Sequence, residues 1–139
     1  MLVLDTDHLI ELDRASEAGA VLREKLEQSN QNIATTIISA EEQFRGWLAQ
    51  IHGEPDPHRQ IAAYERLNGR IEFFAAWNVL PWTVTAADKF TELRKSRVRI
   101  GTIDLKIASI VLANDAILLS RNVRDIDKVP GLRFEDWLS

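Results

Sequence analysis

Asp5 ends an apolar run at the start of the chain, and Glu42 falls in the first turn predicted after the β-branched stretch IATTII. Asp104 lies just after Gly101 and Thr102, and Asn122 and Asp125 follow AILLS within a few residues. A carboxylate that directly ends a buried strand needs a chemical reason. Gathering several carboxylates costs mutual repulsion and desolvation, which raises their pKa values unless a cation neutralises them. Mg²⁺ or Mn²⁺ fits that set, because these hard ions take oxygen ligands, keep several waters and leave room for a substrate phosphate. The sequence has Cys 0, and His8, His52 and His58 show no zinc spacing.

Each position also has a purely structural reading. Ser39-Ala40-Glu41-Glu42 is a capping box, in which Glu42 satisfies a backbone N–H at a helix start. Asp104 can favour a helix dipole, and Asp7 reads as the N-cap of a helix that starts at His8. Asp125 can pair with Arg121 or Arg124 as a surface residue. His8 reads as an ordinary helix residue, and Trp47, Trp77, Trp82 and Trp137 as core or subunit contacts.

Residues this far apart meet only if the fold brings them together. Val3 and Leu4 close a first strand, residues 33–38, 79–82 and 116–120 make three more, and the tail at 133–137 is a candidate fifth. Val21, Leu22 and Leu26 share one helix face, and Ser39 opens a helix carrying Phe44, Trp47, Leu48 and Ile51. HGEPDPH, residues 52–58, ends that helix. Ile61, Tyr64, Leu67, Ile71 and Phe74 recur at helical spacing over 59–77, with Gly69 as a candidate bend, and further helices are predicted over 85–97 and 104–114. Largely apolar strands alternating with helices imply an α/β domain whose parallel sheet is covered on both faces. In such sheets the site lies beyond the carboxyl ends of the strands, where these oxygen-bearing residues fall.

The chain has 139 residues, enough for one domain with its own core. Its net charge of -4, from 21 acidic and 17 basic residues, means that nucleic acid would have to be held by a local basic patch or through cations. No apolar stretch approaches the ~20 residues that span a bilayer and no basic leader precedes the first strand, so the expectation is a soluble, cytoplasmic protein with no membrane partner.

LDTDHL at 4–9, SAEEQFRG at 39–46, IGTIDLKIASIVLA at 100–113 and SRNVRDIDKVPGLRFEDW at 120–137 together resemble the PIN-domain ribonucleases, and among them the VapC toxins of bacterial type II toxin–antitoxin systems. The resemblance implies a single PIN domain over 1–139, a three-layer α/β/α sandwich around a central parallel sheet of four to five strands. It matches the family's acidic residues to Asp5, Glu42 and Asp104, with Glu41 as the alternative to Glu42. A further acidic position common in the family is Asn122 here, so Asp125 is the candidate to supply the missing charge.

What the resemblance implies is a Mg²⁺- or Mn²⁺-dependent endoribonuclease, usually a homodimer, silenced by a cognate antitoxin whose C-terminal segment lies along the active-site groove. Metal on Asp5, Glu42 and Asp104 would then need no serine or histidine nucleophile. RKSRVR at 94–99, with Arg97 and Arg99, lies just before the Asp104 loop, and Arg45, Lys106, Arg121 and Arg124 flank other motif positions as candidate RNA phosphate contacts. Two other readings compete. Asp5-Thr6-Asp7 is an Asp-x-Asp after a strand, as in haloacid-dehalogenase-like phosphatases, but no Gly-Thr follows it. Asn122 alone supports a PIN-like binding protein with weakened catalysis.

Overall fold

The computed structural model describes all of residues 1–139. In chain order the elements are β1 (Leu2–Leu4), α1 (Thr6–Asp13), α2 (Glu17–Ser29), β2 (Ile33–Thr36), α3 (Ile37–His52) and α4 (Gln60–Ala75). They continue with β3 (Val79–Leu80), α5 (Val84–Lys95), α6 (Thr102–Ala113), β4 (Ile117–Leu119), α7 (Val123–Ile126) and β5 (Arg133–Glu135). The sheet is five-stranded in the order β3-β2-β1-β4-β5, and every pairing is parallel.

Alternation along β1 builds both cores. Val3 points to one face, where it joins Ala34, Leu118 and the α5–α6 residues Leu93, Ile107 and Ile110. Leu2 and Leu4 point to the other, with Leu9, Leu22, Leu26, Phe74 and Leu119. Residues of β1 therefore have no solvent face, which is why the strand reads as an unbroken apolar run. The result is the expected three-layer α/β/α arrangement, and no helix is long and apolar enough to cross a membrane.

Several local readings are corrected. The strand expected over 33–38 stops at Thr36, because the Thr36 hydroxyl accepts from the Ser39 N–H at 3.1 Å and caps a helix that starts at Ile37. Ser39 is thus inside α3 and does not open it. Asp5, not Asp7, is the N-cap of α1, its carboxylate accepting from the Thr6 N–H at 2.7 Å. Helix α4 runs unbroken through Gly69. Its period is as expected, but only Phe74 is buried, while Ile61, Tyr64 and Ile71 stay exposed. None of the four tryptophans is fully buried.

Candidate active site

The switch point of the sheet lies between β1 and β4, since the chain leaves β1 towards β2 on one side and later returns to pair on the other. Register places Leu4 beside Leu119, so the next residues, Asp5 and Ser120, emerge side by side. The Asp5 N–H donates to the Leu119 carbonyl at 2.9 Å, and the Ser120 hydroxyl donates to the Asp5 carboxylate at 2.8 Å. Asp5 is 6% exposed. Burial pushes its carboxyl up from 3.8 to about 6, aided by the charges of Asp7 and Asp104 and opposed by the hydrogen bonds from Ser120 and Thr6.

Glu42 reaches this point from α3. Because the helix is capped by Thr36, Glu42 lies beyond its first turn, which removes the capping-box reading. Its carboxylate instead accepts from the Thr6 hydroxyl, the residue next to Asp5. Glu41 turns away to pair with Arg45 at 2.9 Å.

Asp104 enters from the first turn of α6. Asn122, just beyond β4, donates its amide to Asp104 at 2.8 Å and to Asp125 at 3.3 Å, so it holds two carboxylates through one NH₂ group. Burial raises the Asp104 carboxyl and the Asn122 amide opposes that, while the negative charges of Glu42, Asp125 and Asp7 push it further up. Asp125 also meets Lys128 at 3.4 Å on the surface, rather than Arg121 or Arg124.

Thr6, Ser120 and the Asp7–His8 pair were not singled out for the site by sequence reasoning. His8 is fully buried; its Nδ1 donates to Asp7 at 2.8 Å and its Nε2 accepts from the Trp137 N–H at 3.1 Å. Asp7 also accepts from the Arg121 N–H at 3.0 Å. Burial works to raise the Asp7 carboxyl, but the hydrogen bonds from His8 and Arg121 outweigh it and hold it below the ordinary range. With both oxygens so engaged, Asp7 is a brace between α1, the tail and the loop after β4. It lacks the freedom that the second acid of an Asp-x-Asp phosphatase needs.

No three His, Asp or Glu side chains close into a ready-made metal cage. The fit to a divalent cation rests on charge and donor type. Asp5 and Asp104 are oxygen donors with raised pKa values, and each lies in the field of further carboxylates without a basic side chain beside it. Of the candidate basic residues, Arg45 is tied to Glu41, Lys106 lies 5.8 Å above the Trp82 ring, and Arg121 reaches the site through its backbone. Arg97 and Arg99 line a separate cleft beside α6.

Comparison with known proteins identifies the fold that carries these residues. A tRNA(fMet)-specific endonuclease VapC from Salmonella typhimurium is 29% identical over 85 residues, covering 58% of this chain and 60% of that protein. The match thus spans less than two thirds of that curated relative's length. Among solved structures, VapBC2 from Rickettsia felis bound to a promoter DNA fragment gives a TM-score of 0.71 at 21% identity, covering 98% of both chains. VapBC-1 from nontypeable Haemophilus influenzae gives 0.68 at 25% identity, covering 99% of this chain and 98% of that one. The PIN domain model matches residues 2–132, almost the whole of the fold described above, and the chain belongs to the PIN domain family.

Proposed function

We propose that this protein is a divalent-metal-dependent endoribonuclease acting in the cytoplasm as the toxin of a toxin–antitoxin pair. The observation that carries the reading is the convergence of Asp5, Glu42 and Asp104 on the switch point, where burial and the charges of Asp7 and Asp104 raise the Asp5 carboxyl and burial and the charges of Glu42, Asp125 and Asp7 raise that of Asp104. The likeness to a VapC endonuclease and to VapBC structures supports the choice of RNA and of a protein partner.

Asp5, Glu42 and Asp104 would hold Mg²⁺ or Mn²⁺. When bound, the cation supplies an acidified water and positive charge for phosphodiester hydrolysis. The chain's own part is positioning. Ser120 and the Thr6 N–H fix the Asp5 carboxylate, the Thr6 hydroxyl fixes Glu42, and the Asn122 amide holds Asp104 against Asp125. Asp125 supplies charge at the rim, where Asn122 is neutral.

A groove of about 710 Å³ leads from Thr6 and Glu42 between α1, α3 and α4, past Gly46, Trp47, Gly69 and Arg70. A Cβ at Gly46 or Gly69 would meet nothing within 4 Å, so neither glycine is required by packing inside the protein. Glycine inside a helix costs about 0.5–1 kcal/mol relative to alanine. Keeping it at two places on one groove fits a channel held open for an antitoxin segment. The exposed Ile61, Tyr64 and Ile71 on α4 offer further apolar surface to a protein partner, the antitoxin or a second copy.

The test is incubation of purified, antitoxin-free protein with single-stranded RNA. Cleavage with Mg²⁺ or Mn²⁺ that stops in EDTA is expected. Undiminished cleavage in chelator would overturn metal dependence, and turnover of small phosphomonoesters without RNA cleavage would select the phosphatase chemistry.

A further inference from the structure

The acidic centre leaves a physical problem, since a polyanion must approach a cluster of carboxylates in a chain of net charge -4. A second cavity bears on it. Between α5 and α6 lies a cleft of about 450 Å³ lined by Phe90, Arg94, Arg97, Arg99, Thr102 and Leu105 among others. Thr102 stands two residues before Asp104, about 3 Å of helix rise and roughly 200° of rotation away, so the cleft and the carboxylate centre lie on different sides of the same N-terminal end of α6.

The arginines of this cleft differ from most of those elsewhere. Arg14, Arg45, Arg59, Arg70 and Arg133 each meet a carboxylate. Arg94, Arg97 and Arg99 meet none, and the nearest partner of Arg94 is the face of Phe90, 5.4 Å from the ring centre. Like charges this close in sequence repel, and no carboxylate lies within ion-pair distance to offset them.

Arg97 adds a second observation. It follows the C-cap Ser96 of α5 with φ 60°, the left-handed region where helices commonly end in glycine. The other non-glycine residues at positive φ are Asn30 and Asp115, types that tolerate this conformation. An arginine is strained there where glycine is not, so its side chain has a use that its backbone position does not explain.

We propose that this cleft is a phosphate subsite for the RNA strand, in which Arg97 and Arg99 hold a phosphodiester flanking the one to be cut. The proposal rests on the endoribonuclease reading and adds to it a place for the strand beside the carboxylates. Guanidinium groups free of internal partners can take phosphate oxygens through paired N–H donors. They also offset the negative field of Asp5, Glu42 and Asp104, which lets a polyanion approach.

The experiment is fluorescence anisotropy with a labelled single-stranded oligoribonucleotide, using the full chain in EDTA, alongside cleavage in Mg²⁺ and a melting curve. Arg97→Gly should melt at or above the wild-type temperature, because the strain is relieved, yet bind more weakly. Loss of one phosphate contact to a single strand lowers the log–log salt slope by about 0.7, which is about fivefold in Kd near 0.1 M salt. Arg99→Gln, which leaves the backbone alone, should show the same loss, and Arg59→Gln should not.

Wild-type binding and salt slope in both Arg97→Gly and Arg99→Gln would overturn the subsite, and if the wild type still cleaves RNA the nuclease reading stands. Weakened binding in both variants, in a wild type that binds RNA without cutting it, would overturn the nuclease reading and, with it, a subsite flanking a scissile bond. A wild type that neither binds nor cuts RNA removes both. A lowered melting temperature in Arg97→Gly with unchanged binding in Arg99→Gln would make Arg97 a structural residue and also overturn the subsite.

Discussion

Replacing Asp5 by Asn should make the metal-free protein more stable in mild alkali and less stable in acid. The Asp5 carboxyl is pushed up from 3.8 to about 6 in the fold by burial. Between those values the folded protein keeps a proton that the unfolded chain has released, so stability falls as pH rises through the window. The full difference, at 1.36 kcal/mol for each pH unit, is about 3 kcal/mol once pH has passed the folded value. Asparagine carries no charge and escapes this penalty, but it weakens the hydrogen bonds from Thr6 and Ser120 by about 1 kcal/mol. The expected balance is a gain of about 2 kcal/mol near pH 8 and a loss of about 1 kcal/mol near pH 3.5, with a crossing between them. Urea unfolding in EDTA across that range, with the slope m checked for constancy, measures it. A difference that does not vary with pH, or an Asp5→Asn protein less stable near pH 8, would refute the claim that ionised Asp5 is an uncompensated buried charge.

Glu42→Gln keeps an acceptor for the Thr6 hydroxyl, so stability should hold within about 0.5 kcal/mol while Mn²⁺ affinity and cleavage both fall; calorimetry and an RNA assay on the same sample separate these, and unchanged affinity would remove Glu42 from the ligand set. Asn122→Asp replaces a donor to Asp104 and Asp125 by a third charge, which should destabilise the chelated protein and strengthen metal binding. Asp125→Asn should weaken metal-dependent cleavage, whereas a rim residue that only pairs with Lys128 would change stability by at most about 1 kcal/mol and leave cleavage intact. Gly46→Leu fills open space in the groove and improves helix propensity, so it should preserve melting temperature and cleavage while abolishing inhibition by the antitoxin; retained inhibition would move the antitoxin elsewhere.

The layers of this fold were legible because they depend on period and burial. The apolar run into Asp5, the β-branched residues before Thr36 and the apolar stretch before Ser120 all mark parallel strands buried on both faces. Boundaries at the site were less legible, because side chains decide them. The Thr36 hydroxyl ends a strand that Ile37 and Ile38 would extend by propensity, and the Asp5 carboxylate starts a helix that Asp7 is equally suited to cap by residue type. The burial of α4 was not legible for a different reason. Spacing identifies an amphipathic face but not what covers it, and Ile61, Tyr64 and Ile71 face outward.

Asp5 after β1 and Asp104 in the first turn of α6 stand where strand and helix signals put them, whereas Glu42 lies a turn deeper in α3 than expected because Thr36 caps that helix. Their supports could not be placed in this way, since they depend on register. Ser120 becomes a partner of Asp5 only when Leu4 is paired with Leu119, and Thr6 becomes a partner of Glu42 only when α3 is packed beside α1. His8 carried a signal, being a ring with two polar atoms beside an acid at the end of a buried strand. Its second partner, the Trp137 N–H, lies 129 positions away in sequence.

The central claim is that Asp104 belongs to a reactive carboxylate centre and does not merely favour the helix dipole of α6. It is tested most directly by the rate at which Asp104→Asn cuts single-stranded RNA in Mg²⁺, measured beside its melting temperature. The account predicts that cleavage disappears while the melting temperature holds or rises, because the substitution removes one charge from a group of mutually repelling carboxylates and keeps the side-chain shape. A helix-dipole role limits the effect to a loss of about 1 kcal/mol in stability. Wild-type cleavage by Asp104→Asn, with or without that loss, would contradict the account.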